Sequence, residues 1–151
     1  MDDKWSRCFQ QLMADENHEL GRKDMLLPQQ ITDKKIKQES MKRFFWFIGD
    51  GYFLDALHAY KKGEGFGIER IACLFHNEFQ TWEEMYFGDS GIMYIEEQDP
   101  FEDSLVFVMN YQEFYEYLQQ TCIEYMIKFP HKKIEVENCL SEYKKNFDIS
   151  D

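Results

Sequence analysis

Residues 105–130 read LVFVMNYQEFYEYLQQTCIEYMIKFP, and this stretch decides the fold class. Leu105 to Met109 is a short, apolar, β-favouring run, which predicts the central or best-buried strand of a sheet. Asn110 is a good helix N-cap, and Glu113 follows three residues later as in a capping box. A helix is therefore predicted after Asn110, and Pro130 ends it. The apolar side of this helix is predicted to consist of Phe114, Tyr117, Leu118, Thr121, Cys122 and Tyr125.

The residues before this stretch predict a β-hairpin. The segments 82–87 and 92–96 flank Gly88-Asp89-Ser90-Gly91, which is a strong turn signal. Further upstream, the apolar residues Ile68, Ile71, Ala72, Leu74 and Phe75 recur at helical spacing and favour a helix, with a buried strand as the alternative.

Two more helices are predicted on either side. Asp50, in the turn Gly49-Asp50-Gly51, is an N-cap candidate for a helix that ends near Lys61-Lys62-Gly63. An apolar stripe of Phe53, Ala56, Leu57 and Tyr60 marks that helix, and one of Val136, Leu140, Tyr143 and Phe147 marks the last. Together these elements predict an α+β fold, a small antiparallel sheet with helices packed on one face.

The composition changes at Met41. Residues 1–40 are mixed and polar, whereas the aromatic run Phe44-Phe45-Trp46-Phe47 begins directly afterwards. We therefore expect an N-terminal extension over 1–40, partly helical (Trp5, Phe9, Leu12 and Met13 share helical spacing) or a linker. The functional domain is expected over 41–151.

Charge is distributed unevenly along the chain, whose net charge is −12. No Lys or Arg occurs from Ile71 to Ile127, a stretch that holds twelve carboxylates. Like charges repel, so a stretch of one sign favours a basic partner and disfavours direct binding of nucleic acid.

Other classes of protein are disfavoured by what the sequence lacks. It contains no apolar run of about 18 residues, which argues against a membrane span, and MDDKWSRCFQ does not resemble a secretory signal. The four cysteines form no paired framework, so we expect reduced thiols in a cytoplasmic protein.

Three patterns that suggest chemistry have simpler explanations. Gly63-x-Gly65-x-Gly67 does not follow a predicted strand, as a phosphate-binding loop should, and is interpreted as a flexible connection between helices. Cys73 and His76 lack the further ligands that zinc needs. The doublets Glu83-Glu84 and Glu96-Glu97 place neighbouring side chains on opposite faces of a strand, so neither is a catalytic dyad. We therefore predict a non-enzymatic protein without metal or cofactor.

From Met41 onward the chain resembles the immunity proteins of bacterial contact-dependent growth inhibition systems, in particular those paired with ribonuclease toxins. The resemblance rests on FFWFIGDGYFLDAL (44–57), GFGIE (65–69), Phe75-His76, WEEMYFG (82–88), EFY (113–115) and Tyr125 near Pro130. It covers residues 41–130 and implies a cytosolic antitoxin that binds the C-terminal nuclease domain of a large toxin. Such toxins commonly cleave tRNA, and the inhibitor blocks the active site or the substrate groove.

The residues themselves favour an acidic recognition surface around the predicted hairpin. Aromatic anchors with a charged rim are typical of tight interfaces, and carboxylates suit the basic groove of a ribonuclease. The candidate toxin-binding residues are Trp82, Glu83, Glu84, Tyr86, Asp89, Tyr94, Glu96, Glu97, Asp99, Glu102 and Asp103. The alternative is an acidic mimic of nucleic acid that regulates a nucleic-acid-binding protein of the host.

Overall fold

The computed structural model describes residues 31–98 and 104–150. Its helices are α1 (Lys34–Lys61), α2 (Tyr111–Lys128) and α3 (Lys133–Phe147). Its strands are β1 (Phe66–Ile68), β2 (Ile71–Phe75), β3 (Ile92–Glu96) and β4 (Leu105–Met109). The strands form one antiparallel sheet in the order β1-β2-β3-β4. This arrangement confirms the predicted α+β class.

The three helices cover one face of the sheet. Side chains alternate between the faces of a strand, so Cys73, Tyr94 and Phe107 join the core that the helices form. On the opposite face, Leu74 and Ile95 pack beneath residues 76–91, the connection between β2 and β3. We call residues 76–91 the outer loop. The sheet is therefore buried on both faces, by helices on one and by the outer loop on the other.

Helix α1 is longer than predicted. It starts at Lys34 and continues through Met41. Asp33 is its N-cap, and the Asp33 carboxylate accepts a hydrogen bond from the Ile36 backbone N–H at 3.1 Å. The predicted turn at Gly49 is a kink inside this helix, where Gly49 has φ 66° and ψ 173°. The predicted end near Lys61 is confirmed, with Lys62 as the C-cap.

The local signals around Asn110 predicted the start and the end of α2 correctly. The Asn110 side chain accepts a hydrogen bond from the backbone N–H of Glu113 at 2.7 Å, and α2 ends at Lys128 before Pro130. However, β4 is an edge strand of the sheet, not its best-buried strand. That position belongs to β2, whose five residues are all buried.

The structure corrects three expectations about the middle of the chain. Segment 82–87 forms no strand, and β3 pairs instead with β2, with Phe75 opposite Ile92. Residues 71–75 are thus a strand rather than a helix. The glycine-containing segment 63–67 joins α1 to β1, so it does not connect two helices. The predicted helical stripe of Trp5 to Met13 lies outside the described residues.

Within the described ranges, the helices are too short or too polar to cross a lipid bilayer.

Candidate functional site

The outer loop is held against the sheet by two apolar side chains. Phe79 and Met85 are buried on the face that carries Leu74 and Ile95. At the base of the loop, the His76 backbone N–H donates to the Gly91 carbonyl at 3.2 Å. The middle of the loop, residues 80–90, is exposed or half-buried apart from Met85, and we call it the ridge.

Tight turns present the polar residues of this ridge to solvent. The backbone N–H of Glu83 donates to the Gln80 carbonyl, and that of Tyr86 donates to the Glu83 carbonyl, both at 3.0 Å. The Glu83 carboxylate also accepts from the Gln80 backbone N–H at 3.0 Å. Trp82, between these turns, is 79% exposed. An indole held so far out of the core is unusual for a side chain with this much apolar area.

The structure places five of the candidate binding residues in this one loop. Trp82, Glu84 and Asp89 are exposed, whereas Glu83 and Tyr86 are half-buried. Tyr86 packs at the edge of the apolar cluster beneath the loop. The loop therefore joins one exposed aromatic side chain with several carboxylates, as an interface anchor with an acidic rim requires.

Tyr94 does not belong to this surface. Its side chain is completely buried in the core on the helix side of the sheet, and its ring stacks on Phe107 with 4.5 Å between centroids. The Tyr94 hydroxyl donates to the Glu96 carboxylate at 2.5 Å. Burial, together with this hydrogen bond, raises the pKa of Tyr94 above its usual value. Strand alternation explains the error, because Tyr94 and Glu96 both face the helices.

Glu96 forms an ion pair with a cation of the same chain. The Arg43 guanidinium, on α1, donates from Nη2 to one Glu96 oxygen at 2.7 Å and from Nε to the other at 3.1 Å. The side chain of Glu96 is 16% exposed, so little of it is available to a partner. Glu96 is therefore a structural residue that joins β3 to α1.

A second cation of α1 also compensates the acidic stretch. Lys37 Nζ lies 3.4 Å from the Glu113 carboxylate on α2 and 5.6 Å from the centroid of the Phe107 ring. Two carboxylates of the acidic stretch, Glu96 and Glu113, are thus paired with cations of the same chain. No local pattern indicated Arg43 or Lys37, because each pairs across more than fifty residues of sequence.

The remaining candidates are separate from the ridge. Glu97 directly follows β3, is half-buried, and donates its backbone N–H to the Arg70 carbonyl at 2.8 Å. Asp99, Glu102 and Asp103 lie outside the described residues.

A carboxyl group that the sequence did not single out anchors the start of the outer loop. Glu78 Oε1 accepts a hydrogen bond from the Gly65 backbone N–H at 2.7 Å, whereas Glu78 Oε2 is buried without a hydrogen-bond partner. Burial raises the pKa of Glu78 to about 7, against the opposing effect of the Gly65 hydrogen bond. Gly65 permits this approach, because a Cβ there would lie 2.6 Å from Oε2. The pair links the α1–β1 connection to the outer loop.

One cluster resembles a nucleophile with its base, but its geometry does not suit catalysis. His58 Nε2 lies 2.8 Å from the Glu135 carboxylate, and Cys139 Sγ lies 3.6 Å from Nδ1 and 3.8 Å from Nε2 of the same ring. The sulfur is thus nearly equidistant from both nitrogens and is not aligned with one of them. Cys139 is buried, and burial raises the pKa of its thiol, whereas a nucleophilic cysteine needs a lowered pKa.

Metal-binding side chains are also dispersed. Across residues 31–98 and 104–150, no three His, Cys, Asp or Glu side chains come together as a metal site would require. Cys73 is buried within β2, and His76 lies in the 3₁₀ turn that follows.

Comparison with known proteins agrees with a binding role. A search of curated proteins finds no match to this chain. The family model described as CDI immunity protein matches residues 37–140, which include most of α1, the whole sheet, the outer loop and α2. Immunity proteins of this family neutralise a cognate toxin protein by binding to it and are generally not enzymes. Because the match extends over more than half of the chain, this protein belongs to the CDI immunity protein family.

Proposed function

We propose that this immunity protein inhibits a ribonuclease toxin, commonly a tRNase, in the cytoplasm by inserting the outer loop into the basic groove that holds RNA. The observation that carries the proposal is the exposed Trp82 with the carboxylates of Glu83, Glu84 and Asp89 in the same loop. A nuclease groove is basic because it binds phosphates, so an acidic ridge competes with RNA by charge and by bulk.

Charge and aromatic area have different roles in this proposal. Long-range attraction between carboxylates and the basic groove accelerates encounter, and this effect weakens as salt increases. Exposed ion pairs contribute little to the final affinity, so the Trp82 indole supplies most of the local binding free energy. Glu96 has no direct part, because Arg43 occupies it.

The test uses the full chain and the toxin domain encoded beside it. Calorimetry at two salt concentrations and a parallel tRNA-cleavage assay are expected to show one-to-one binding that weakens with salt and stops cleavage. The double reversal E84K/D89K is expected to slow association about tenfold. The matched control is D55K/E137K, which reverses one Asp and one Glu on the exposed sides of α1 and α3 and so changes the net charge by the same amount.

Three results would contradict parts of the proposal. If E84K/D89K and D55K/E137K associate with equal rates, the outer loop is not the electrostatic surface. If the toxin cleaves DNA and leaves RNA intact, the toxin class is wrong. Binding to several unrelated basic proteins with similar affinity, and none to the adjacent toxin domain, would instead support the nucleic-acid-mimic alternative.

A further inference from the structure

A second cluster of exposed aromatic side chains surrounds the kink in α1. Trp46 is 76% exposed, Phe47 44% and Tyr52 53%. The Trp46 and Phe47 rings are in edge-to-face contact, with 5.3 Å between centroids. Three large aromatics exposed within two helical turns exceed the scattered apolar residues of an ordinary surface.

Of these three residues, Trp46 lines a groove between α1 and α2. The groove has a volume of about 690 Å³, and its apolar lining includes Met41, Phe45, Trp46 and Phe53 from α1 and Tyr125 from α2. Phe45 and Phe53 lie on either side of the kink, with 6.3 Å between their ring centroids. The lining thus offers an aromatic floor next to an exposed indole.

The kink is not explained by close packing at Gly49. A Cβ at Gly49 would meet no atom within 4 Å, so steric crowding does not require a glycine there. The φ of 66° at Gly49 favours a glycine there, because residues with a side chain rarely adopt that conformation. The backbone departs from the helix at the position where the groove lies.

The charges around the groove are balanced, unlike those of the outer loop. Its ionisable side chains are Lys42 and Lys128 on one hand and Asp50 and Glu124 on the other. Lys128 Nζ lies 3.5 Å from the Asp50 carboxylate. In a chain with a net charge of −12, this locally neutral surface complements an apolar partner rather than a basic one.

We infer that the groove between α1 and α2 is a second toxin-binding surface, which accepts an apolar or aromatic anchor side chain of the toxin against Trp46. The inference rests on the proposed function in that it takes the toxin as the occupant. The two surfaces then divide the binding. The carboxylates of the outer loop set the rate of association, whereas the groove adds to Trp82 in slowing dissociation.

The experiment compares W46A with the equally exposed control I134A, whose side chain on α3 is 74% exposed. Affinity for the adjacent toxin domain is measured at two salt concentrations, together with association and dissociation rates. W46A is expected to lower affinity by about tenfold or more through faster dissociation, with unchanged salt dependence. A second variant, Q120Y, narrows the groove without adding charge and is expected to act in the same direction.

Several outcomes would overturn the inference. Affinity within twofold of wild type for both groove variants would remove the groove from the interface. If sedimentation shows a wild-type dimer that W46A dissociates while toxin affinity is unchanged, the occupant is a second copy. If deletion of residues 1–30 tightens toxin binding and W46A has no effect in the full chain, the occupant is the N-terminal segment. Failure of the wild-type protein to bind or inhibit the toxin would instead defeat the proposed function itself.

Discussion

Arg43 and Glu96 are 53 residues apart in sequence and form a bidentate ion pair between α1 and the end of β3. The Tyr94 hydroxyl donates a hydrogen bond to the same carboxylate. Arg43, Glu96 and Tyr94 therefore form one hydrogen-bonded network. The network fastens the first helix to the sheet. It also removes from the toxin-binding surface a carboxylate that the charge pattern had assigned to it.

We predict that R43A lowers the free energy of unfolding by about 1–3 kcal/mol, because it leaves the mostly buried Glu96 without its cation. Urea denaturation checks this, with K35A on the exposed side of the same helix as the control. Equal midpoints for R43A and K35A would show that the pair contributes nothing to stability. Association of folded R43A with the toxin is expected to keep its wild-type rate.

The Glu78 carboxyl predicts a pH dependence of stability. Its pKa is about 7 in the folded protein, against a usual value of 4.5. Between these values the folded state keeps a proton that the unfolded chain releases, so this group makes stability fall as pH rises from about 4.5 to 7. Above pH 7 its contribution is constant.

The variant E78Q isolates this contribution, since an amide resembles the protonated carboxyl. At pH 8, E78Q is expected to be more stable than wild type by about 1–3 kcal/mol, and the difference is expected to shrink toward zero at pH 4.5. Parallel urea titrations across this range measure the difference. A stability difference between E78Q and wild type that does not change with pH would mean that Glu78 titrates normally in the folded state.

Gly65 and Gly51 form a matched pair for alanine substitution. A Cβ at Gly65 would lie 2.6 Å and 2.9 Å from the Glu78 oxygens and 2.9 Å from Leu74 Cδ2, so we expect G65A to destabilise by about 1–3 kcal/mol. At Gly51, within α1, a Cβ would meet nothing within 4 Å, and G51A is expected to stabilise by up to about 1 kcal/mol. Thermal unfolding of both variants checks the opposite signs. Similar shifts in the two would contradict the packing described at Gly65.

The hydrogen bond at the Asn110 N-cap is expected to stabilise α2. Replacing Asn110 by alanine removes the 2.7 Å hydrogen bond to the Glu113 N–H, and we expect a loss of about 1 kcal/mol. The variant N110D keeps an acceptor oxygen and serves as the control, with an expected loss close to zero. An equal loss of unfolding free energy in N110D and N110A would show that the loss does not come from the cap hydrogen bond.

Elements with local signals were predictable. The helix after Asn110 was recognised because an N-cap, an apolar stripe and a terminating proline lie within the element itself. Segment 82–87 of the outer loop was mistaken for a strand because it is rich in aromatic residues and precedes the strong turn signal Gly88-Asp89-Ser90-Gly91. Whether such a segment becomes a strand depends on a neighbour with free backbone groups, and β3 already pairs with β2 and β4.

The candidate site was predictable as a region but not residue by residue. Trp82, Glu84 and Asp89 are exposed together in the outer loop, near one another in sequence as the composition had indicated. Tyr94 and Glu96 are adjacent to them in sequence and yet face the helices, because a strand alternates its sides and the register with β2 decides which side is covered.

Sequence alone determined the α+β class, both ends of α2, the C-terminal end of α1, the family resemblance and the acidic, aromatic character of the central region. These features depend on periodicity, caps and composition, which act over a few residues or sum over many. Only the tertiary structure decided that Arg43 neutralises Glu96, that the Glu78 carboxyl accepts a hydrogen bond from Gly65, and that the kink at Gly49 lies at a groove beside α2. Those relationships depend on distances between elements far apart in sequence, which chain folding sets and local pattern does not encode.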